Sequence, residues 1–126
     1  MNDYVTQAEN IIISLKNKSK NKTFKFGGDK LTTNQVRKIL SLTSKIYDKT
    51  LTRGVEAVRD DIAYLRIQLA YQSGRNKAVK EFVDTSRLID RVKLIQTNLS
   101  KRNIVIFCRY VEALVAFFKY HGGQDS

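Results

Sequence analysis

The side chains that most often carry covalent or acid–base chemistry are scarce in this sequence of 126 residues: histidine and cysteine occur once each, as His121 and Cys108. His121 precedes two glycines at the end of a helical pattern, so we interpret it as a helix C-terminal cap and not as a base. Cys108 lies in an apolar run without metal-ligand spacing, which predicts an inert core thiol. Together these features favour a protein that is not an enzyme.

One carboxylate cluster, formed by Glu56, Asp60 and Asp61, has the composition of a two-metal nuclease site. Arg53 and Arg59 are close in sequence, and the i, i+4 spacing of Glu56 and Asp60 fits an ion-paired start of a helix. We favour the ion-paired helix start and expect no metal ligands here. The sequence also lacks the glycine-rich phosphate loops of nucleotide-binding proteins, so we expect no cofactor.

The basic residues are the informative group: 23 lysines and arginines stand against 12 aspartates and glutamates, a formal net charge of +11. Such an excess favours a polyanionic partner, because each cation near a phosphate releases condensed counterions. Nucleic acid is the leading partner class, and a basic surface that serves only solubility is the alternative. Two one-sided helical ridges hold cations with few acidic partners along them. They are Lys38, Lys45 and Lys49 on the second predicted helix, and Lys77, Lys80, Arg87 and Arg91 on the fourth.

Three arginines, Arg66, Arg75 and Arg109, stand in apolar contexts. An arginine can stack on a base, bind a phosphate through two N–H groups, or pair with a carboxylate. Arg109 has Glu112 one helical turn away, whereas Arg75 has no acidic partner nearby in sequence. Arg75 is therefore the first candidate for contact with nucleic acid.

The elements that must position these residues are helices, because apolar residues recur at helical spacing and the chain has no proline. A first helix is predicted over 4–15. The segment 16–30 contains six lysines, and we interpret it as a loop or basic tether that buries too little apolar surface to become ordered. The second helix opens with a capping box at Thr32 and Gln35 and runs to about Lys49.

Three further helices complete the prediction. The third follows a break at 50–52 and ends at Gly74, and the fourth spans 76–96. Ser100 caps the fifth, which ends before two glycines. The fifth helix is apolar on nearly every side, which is typical of a helix at the centre of a bundle or of one that lends a face to another subunit.

The sequence therefore predicts an all-α fold, a single-domain bundle of about five helices with the last helix central. Within this one domain, 1–30 form an N-terminal helix plus basic connector and 31–126 form the helical bundle. The N-terminal residues lack the pattern of a signal peptide, and the most apolar segment, 104–118, is too short and too charged to span a membrane. With a single cysteine, this favours a cytoplasmic protein.

Four segments of the chain match a known family. They are Leu31-Thr32-Thr33 with Arg37, Tyr64-Leu65-Arg66, Tyr71-Gln72-Ser73-Gly74-Arg75, and the run from Phe107 to Lys119 followed by Gly122-Gly123. With these segments the chain resembles, from residue 31 to its end, the small subunit of type III-A CRISPR effector complexes, the helical subunit of the Csm ribonucleoprotein. The run from Phe107 is the most specific of the four. The first 30 residues match only in general character, a helix followed by a basic connector.

The resemblance implies a non-catalytic helical subunit of an antiviral RNA-guided complex, present in more than one copy along a guide-RNA filament. Its partners would be target RNA and guide RNA, the repeated backbone subunit that cleaves the target, and the large polymerase-like subunit. In such complexes base pairing reads the sequence and protein contacts run to the nucleic-acid backbone. This agrees with dispersed cations and no nuclease site.

The candidate RNA-binding residues have two origins. The family motifs point to Arg37, Arg66, Arg75 and Arg109, and the spacing of the ridges adds Lys38, Lys45, Lys49 and Lys77. Under the same resemblance the four arginines are candidates for contact with RNA or with another subunit. The alternative function is a helical scaffold or interaction protein whose basic surface has no direct role with nucleic acid.

Overall fold

The computed structural model describes residues 3–125; Met1 and Asn2 of the predicted N-terminal segment, and Ser126 of the predicted bundle, lie outside the described residues. The described part is all-helical apart from one small hairpin. The helices are α1 (Tyr4–Lys18), α2 (Thr33–Arg53), α3 (Arg59–Arg75), α4 (Lys77–Ser86), α5 (Leu88–Thr97) and α6 (Lys101–Tyr120). Short 3-10 turns occupy Lys20–Lys22 and Val55–Val58, and β1 (Lys25–Phe26) pairs antiparallel with β2 (Asp29–Lys30). The all-α prediction is confirmed, and the number of helices is six instead of about five.

Helix α6 packs against α1 and α2 and touches α5. Its buried side chains, among them Tyr110, Leu114 and Phe118, join the single core to which α1 contributes Ala8 and Ile12. The helix is not apolar all round, because one of its sides exposes charged residues, among them Arg109 and Glu112.

The predicted fourth helix is two helices, because the chain turns at Arg87. Arg87 has φ 58° and ψ 36°, the left-handed conformation that ends α4. The buried Ser86 carbonyl accepts a hydrogen bond of 3.0 Å from the Tyr110 hydroxyl on α6, and the Ser86 hydroxyl donates back to the Phe82 carbonyl. The sequence has no glycine or proline at this break, so the helical periodicity of the apolar residues led to the prediction of one helix over 76–96.

The lysine-rich connector is ordered, and the prediction of a tether is wrong. Phe24 is 2% exposed, and its ring meets that of Phe118 edge-to-face with 4.7 Å between centroids. Its backbone N–H donates to the Ser19 hydroxyl at 2.8 Å. The connector is poor in apolar surface by itself, but α6 supplies the surface against which its one buried phenylalanine packs.

Two helix boundaries also differ from the prediction. Helix α2 continues to Arg53 and is capped by Gly54, whose φ of 88° suits glycine. The predicted break at 50–52 therefore lies inside α2, where Leu51 is 48% exposed. Gly74 lies inside α3, and Asn76 caps α4 by accepting a hydrogen bond from the Val79 N–H. Within residues 3–125 no helix combines the length and the apolar character needed to cross a membrane.

The predicted N-terminal caps of α2 and α6 are confirmed. Thr32 and Gln35 form a reciprocal capping box at the start of α2. The Ser100 hydroxyl accepts a hydrogen bond from the Asn103 N–H at the start of α6, and that helix ends at Tyr120 before the glycines. These caps fix where the two longest helices begin, and with them the register of the basic ridge on α2.

Candidate nucleic-acid interface

A groove runs between α2 and α3, with a volume of about 300 Å³. We call it the α2–α3 groove, and its lining is mostly polar or aliphatic. It consists of Gln35, Lys38, Ile39, Ser41 and Leu42 of α2, Gln68, Leu69 and Gln72 of α3, and Val79 of α4. Glutamine and lysine side chains along such a groove offer N–H donors, which are the partners that phosphate oxygens take.

The α2 side of the groove carries the predicted lysine ridge. Lys38 lines the groove, and Lys45 lies two turns further on the same face of the helix, exposed. Neither has an ion pair among residues 3–125. Lys49 differs, because its ammonium group lies 2.9 Å from the Asp61 carboxylate on α3.

The expectation that acidic partners are scarce along the ridges is therefore wrong at two positions. Lys49 is paired with Asp61, and Lys80 is paired with Asp84 at 2.9 Å, one turn further along α4. Sequence spacing could have revealed the second pair, which is an i, i+4 pair. The first pair joins two helices, so only the packing of α2 against α3 creates it.

The α3 side of the groove ends in an aromatic and arginine-bearing surface. Tyr64 and Tyr71 are 53% and 57% exposed, and the Tyr64 hydroxyl accepts a hydrogen bond from the Gln68 amide. The Arg75 guanidinium lies over the Tyr71 ring, 5.5 Å from its centroid, without an acidic partner among the described residues. Exposed tyrosines beside free cations can stack on bases while the cations meet phosphates.

Neither tyrosine is among the residues predicted to bind RNA, although both belong to segments that match the family. The buried apolar stripe of α3 consists of Ile62, Leu65 and Leu69. Tyr64 and Tyr71 are seven residues apart, which places them on one face turned away from that stripe. This heptad spacing was the available signal.

Of the eight candidates, Lys38 lines the α2–α3 groove. Lys45 and Lys49 lie further along α2, and Arg75 lies three residues beyond Gln72 of the groove lining, whereas the other four candidates lie elsewhere. Arg66 turns toward α5, where its guanidinium donates to the Gln96 side chain at 3.0 Å. The remaining three lie on other surfaces, as follows. Arg37 is exposed about a quarter turn around α2 from Lys38, Arg109 lies beside Tyr47 between α2 and α6, and Lys77 faces the β-hairpin.

The second predicted ridge is divided by the turn at Arg87. Lys77 and Lys80 stay on α4, whereas Arg91 belongs to α5 and lies over the Tyr110 ring, 3.8 Å from its centroid. Arg91 also donates to the Gln7 side chain at 3.0 Å. Arg91 is therefore engaged within the protein, where it joins α5 to α1 and α6.

Most of the groups considered for catalysis have structural partners. Burial raises the pKa of the Cys108 thiol to about 12, and the thiol donates to the Thr43 carbonyl. His121 caps α6 and lies 2.8 Å from the Glu9 carboxylate. Glu56 pairs with Arg59, whose hydrogen bond lowers the pKa of that carboxyl group. In the described part of the chain no three His, Cys, Asp or Glu side chains come together in a way that could hold a metal ion.

Comparisons with known proteins agree with one another. The family model described as Csm2 Type III-A matches residues 6–124. A "CRISPR system Cms protein Csm2" of Streptococcus thermophilus is 40% identical over 123 residues, which cover 98% of this chain and 94% of that protein. Proteins of the same name are 39% identical in Mycobacterium tuberculosis H37Rv, over 98% of this chain and 95% of the relative, and 34% identical in Enterococcus italicus, over 75% and 71%.

Proposed function

Since this chain belongs to the Csm2 family of type III-A CRISPR systems, we propose that it serves as the non-catalytic small subunit of an RNA-guided interference complex and contacts RNA through the α2–α3 groove. The resemblance inferred from the motifs is thereby confirmed. Beyond membership of the family, the proposal names a ligand and a site. The ligand is the backbone of target RNA paired with guide RNA, and the cations in and beside the α2–α3 groove bind it. It places the chain in the cytoplasm, in more than one copy, against the backbone and large subunits of a Csm-type complex.

One observation carries the proposal. Lys38 lies in the groove lining, Lys45 follows it two turns further on the same face of α2, and Arg75 lies three residues beyond the groove residue Gln72 on α3. None of these three cations has an acidic partner among residues 3–125, and the exposed Tyr64 and Tyr71 stand on the same helix as Arg75. Lysines at the ends of flexible stems act as point charges and read no base sequence. This suits a complex in which base pairing supplies specificity and the protein recognises the backbone.

The test is a groove variant, Lys38→Gln with Lys45→Gln and Arg75→Gln, assembled into the complete complex. If each cation meets one phosphate, the slope of log affinity for target RNA against log salt falls by about 2 to 3. The matched control removes three exposed cations that have no ion pair among residues 3–125, one on α5 and two at the start of α6: Lys93→Gln with Lys101→Gln and Arg102→Gln. Equal losses in both variants would mean that net charge, and not this groove, attracts the RNA.

A second candidate function is a helical scaffold that touches only protein. It is favoured by Ile67, which is 61% exposed on α3 between Tyr64 and Tyr71. Under this alternative Ile67→Glu prevents assembly of the complex, measured by size-exclusion chromatography, and the groove variant binds RNA as tightly as the wild type. The proposal predicts the reverse for the groove variant.

A further inference from the structure

A second basic surface lies between the β-hairpin and α4, around a cavity of about 580 Å³. We call it the lysine basin. Five lysines and one carboxylate line it together with the hairpin turn. The lining consists of Lys18, Lys20, Lys25, Phe26, Gly27, Lys77, Lys80 and Glu81. The sequence distributes these cations over a connector and a distant helix, so only the folded chain gathers them.

Packing holds the walls of the lysine basin in place. The Asp29 carboxylate accepts a hydrogen bond of 2.8 Å from the Lys77 backbone N–H, which fastens the hairpin to the start of α4. Gly27 has φ +62°, and a Cβ there would lie 3.4 Å from the Lys77 Cδ atom. The stem of Lys77 thus lies across the turn at van der Waals distance. With Phe24 buried in the core, the hairpin is a fixed wall and not a loose loop.

The charges of the basin are only partly neutralised. Lys18 lies 3.6 Å from the Glu81 carboxylate, and Lys80 is paired with Asp84. The other three lysines, Lys20, Lys25 and Lys77, have no carboxylate partner among residues 3–125. Cations gathered around one cavity repel each other, and a bound anion relieves that repulsion.

The lysine basin lies on the opposite side of α4 from the α2–α3 groove. Val79 lines the groove and Lys77 lines the basin, and two residues along a helix are separated by about 200° around its axis. One run of phosphates along the groove therefore does not reach the basin. The chain presents two basic surfaces that can be occupied at the same time.

We propose that the lysine basin binds the phosphates of a single-stranded RNA segment, separate from the RNA at the α2–α3 groove. The choice of RNA over other polyanions rests on the proposed function. A concave basin with Phe26 in its wall suits a single strand, whose base can stack on the exposed part of that ring. The convex outer surface of a duplex offers phosphates but no free base.

The experiment counts binding sites on the full-length chain with a single-stranded uridine hexamer at low salt. Two variants separate the surfaces: a basin variant, Lys20→Gln with Lys25→Gln and Lys77→Gln, and the groove variant defined above. The wild type is expected to bind two hexamers, and each variant one. Isothermal titration calorimetry gives the stoichiometry, and circular dichroism checks that every variant is folded.

At the basin, measured in the groove variant, loss of three phosphate contacts reduces the salt slope by about 2 and the affinity by roughly 100-fold at 0.1 M salt. The control variant at Lys93, Lys101 and Arg102 loses the same charge and is expected to keep both sites. If it weakens the basin equally, the proposal is overturned. A hexameric duplex is expected to bind the basin variant and the wild type equally well, and a duplex that prefers the wild type also overturns the proposal.

The possible failures are distinguishable. One hexamer per wild-type chain that only the groove variant loses overturns the basin and leaves the proposed function standing. One hexamer that only the basin variant loses supports the basin, and the duplex then tests the groove: a groove variant that binds the duplex as tightly as the wild type refutes the groove as the RNA site. No hexamer binding overturns the basin, and the absence of duplex binding as well refutes both sites. A further variant, Asp29→Ala, raises the net positive charge but removes the hydrogen bond that holds the hairpin against α4. Weaker hexamer binding by this variant supports a basin whose shape matters, and tighter binding shows that charge alone attracts the RNA.

Discussion

Replacement of Phe24 by alanine tests whether the lysine-rich connector is a structural part of the bundle. Phe24 is 2% exposed, and its ring contacts Phe118 in the core. Truncation of a phenylalanine buried to this degree costs about 3–5 kcal/mol of unfolding free energy. Because unfolding entropy is about 2.1 cal/mol/K per residue, a loss of 4 kcal/mol lowers the Tm of a 126-residue chain by about 15 °C.

The assay is thermal unfolding followed by circular dichroism, with limited trypsin digestion as a second measurement. Phe24→Leu, which keeps most of the apolar volume, is the matched control and is expected to cost less than half as much. In the alanine variant the hairpin detaches from α6, so cleavage after Lys20, Lys22 and Lys25 becomes faster. A Tm decrease smaller than about 3 °C, together with cleavage as fast in the wild type as in the variant, would refute the reasoning and support the prediction of a tether.

Three further predictions concern single residues. Because burial raises the Cys108 pKa to about 12 from 9.0, a maleimide at pH 8 is expected to label the unfolded chain far faster than the native one, and equal labelling rates would contradict the burial. The stability that the neutral thiol contributes to the folded state is complete below pH 9 and falls as the pH rises toward 12. Gly123→Ala is expected to cost about 1–3 kcal/mol, since the added Cβ clashes with the Phe118 ring, whereas Gly28→Ala, with open space around it, leaves the Tm within a few degrees. Arg87→Gly is expected to raise stability by about 0.5–1 kcal/mol in urea unfolding, because glycine adopts the left-handed conformation without strain; a lower midpoint would show that the arginine side chain holds the turn.

The candidate site was only partly predictable from the sequence. Spacing on α2 placed Lys38 and Lys45 on one helix face, because the helical period is a local property. The spacing of the lysines did not predict the ion pair of Lys49 with Asp61, since that pair depends on how α2 and α3 pack. The lack of an acidic partner nearby in sequence selected Arg75, the family motifs point to it as well, and the structure adds the neighbouring aromatic ring of Tyr71.

The sequence by itself determined the helical class of the fold, the N-terminal caps of α2 and α6 and the scarcity of catalytic groups. A capping box such as Thr32 with Gln35 involves residues within one turn, so it forms from neighbours in the chain. The same is true of the apolar stripe that makes α6 a core helix.

Only the tertiary structure decided the rest. Phe24 becomes ordered because Phe118, far away in sequence, completes its apolar environment, and the Tyr110 hydroxyl bonds the Ser86 carbonyl where the predicted fourth helix divides. The lysine basin arises in the same way, when Asp29 fastens the hairpin to α4. Burial and pairing between distant residues depend on which surfaces pack together, and the local periodicity of the sequence does not indicate this.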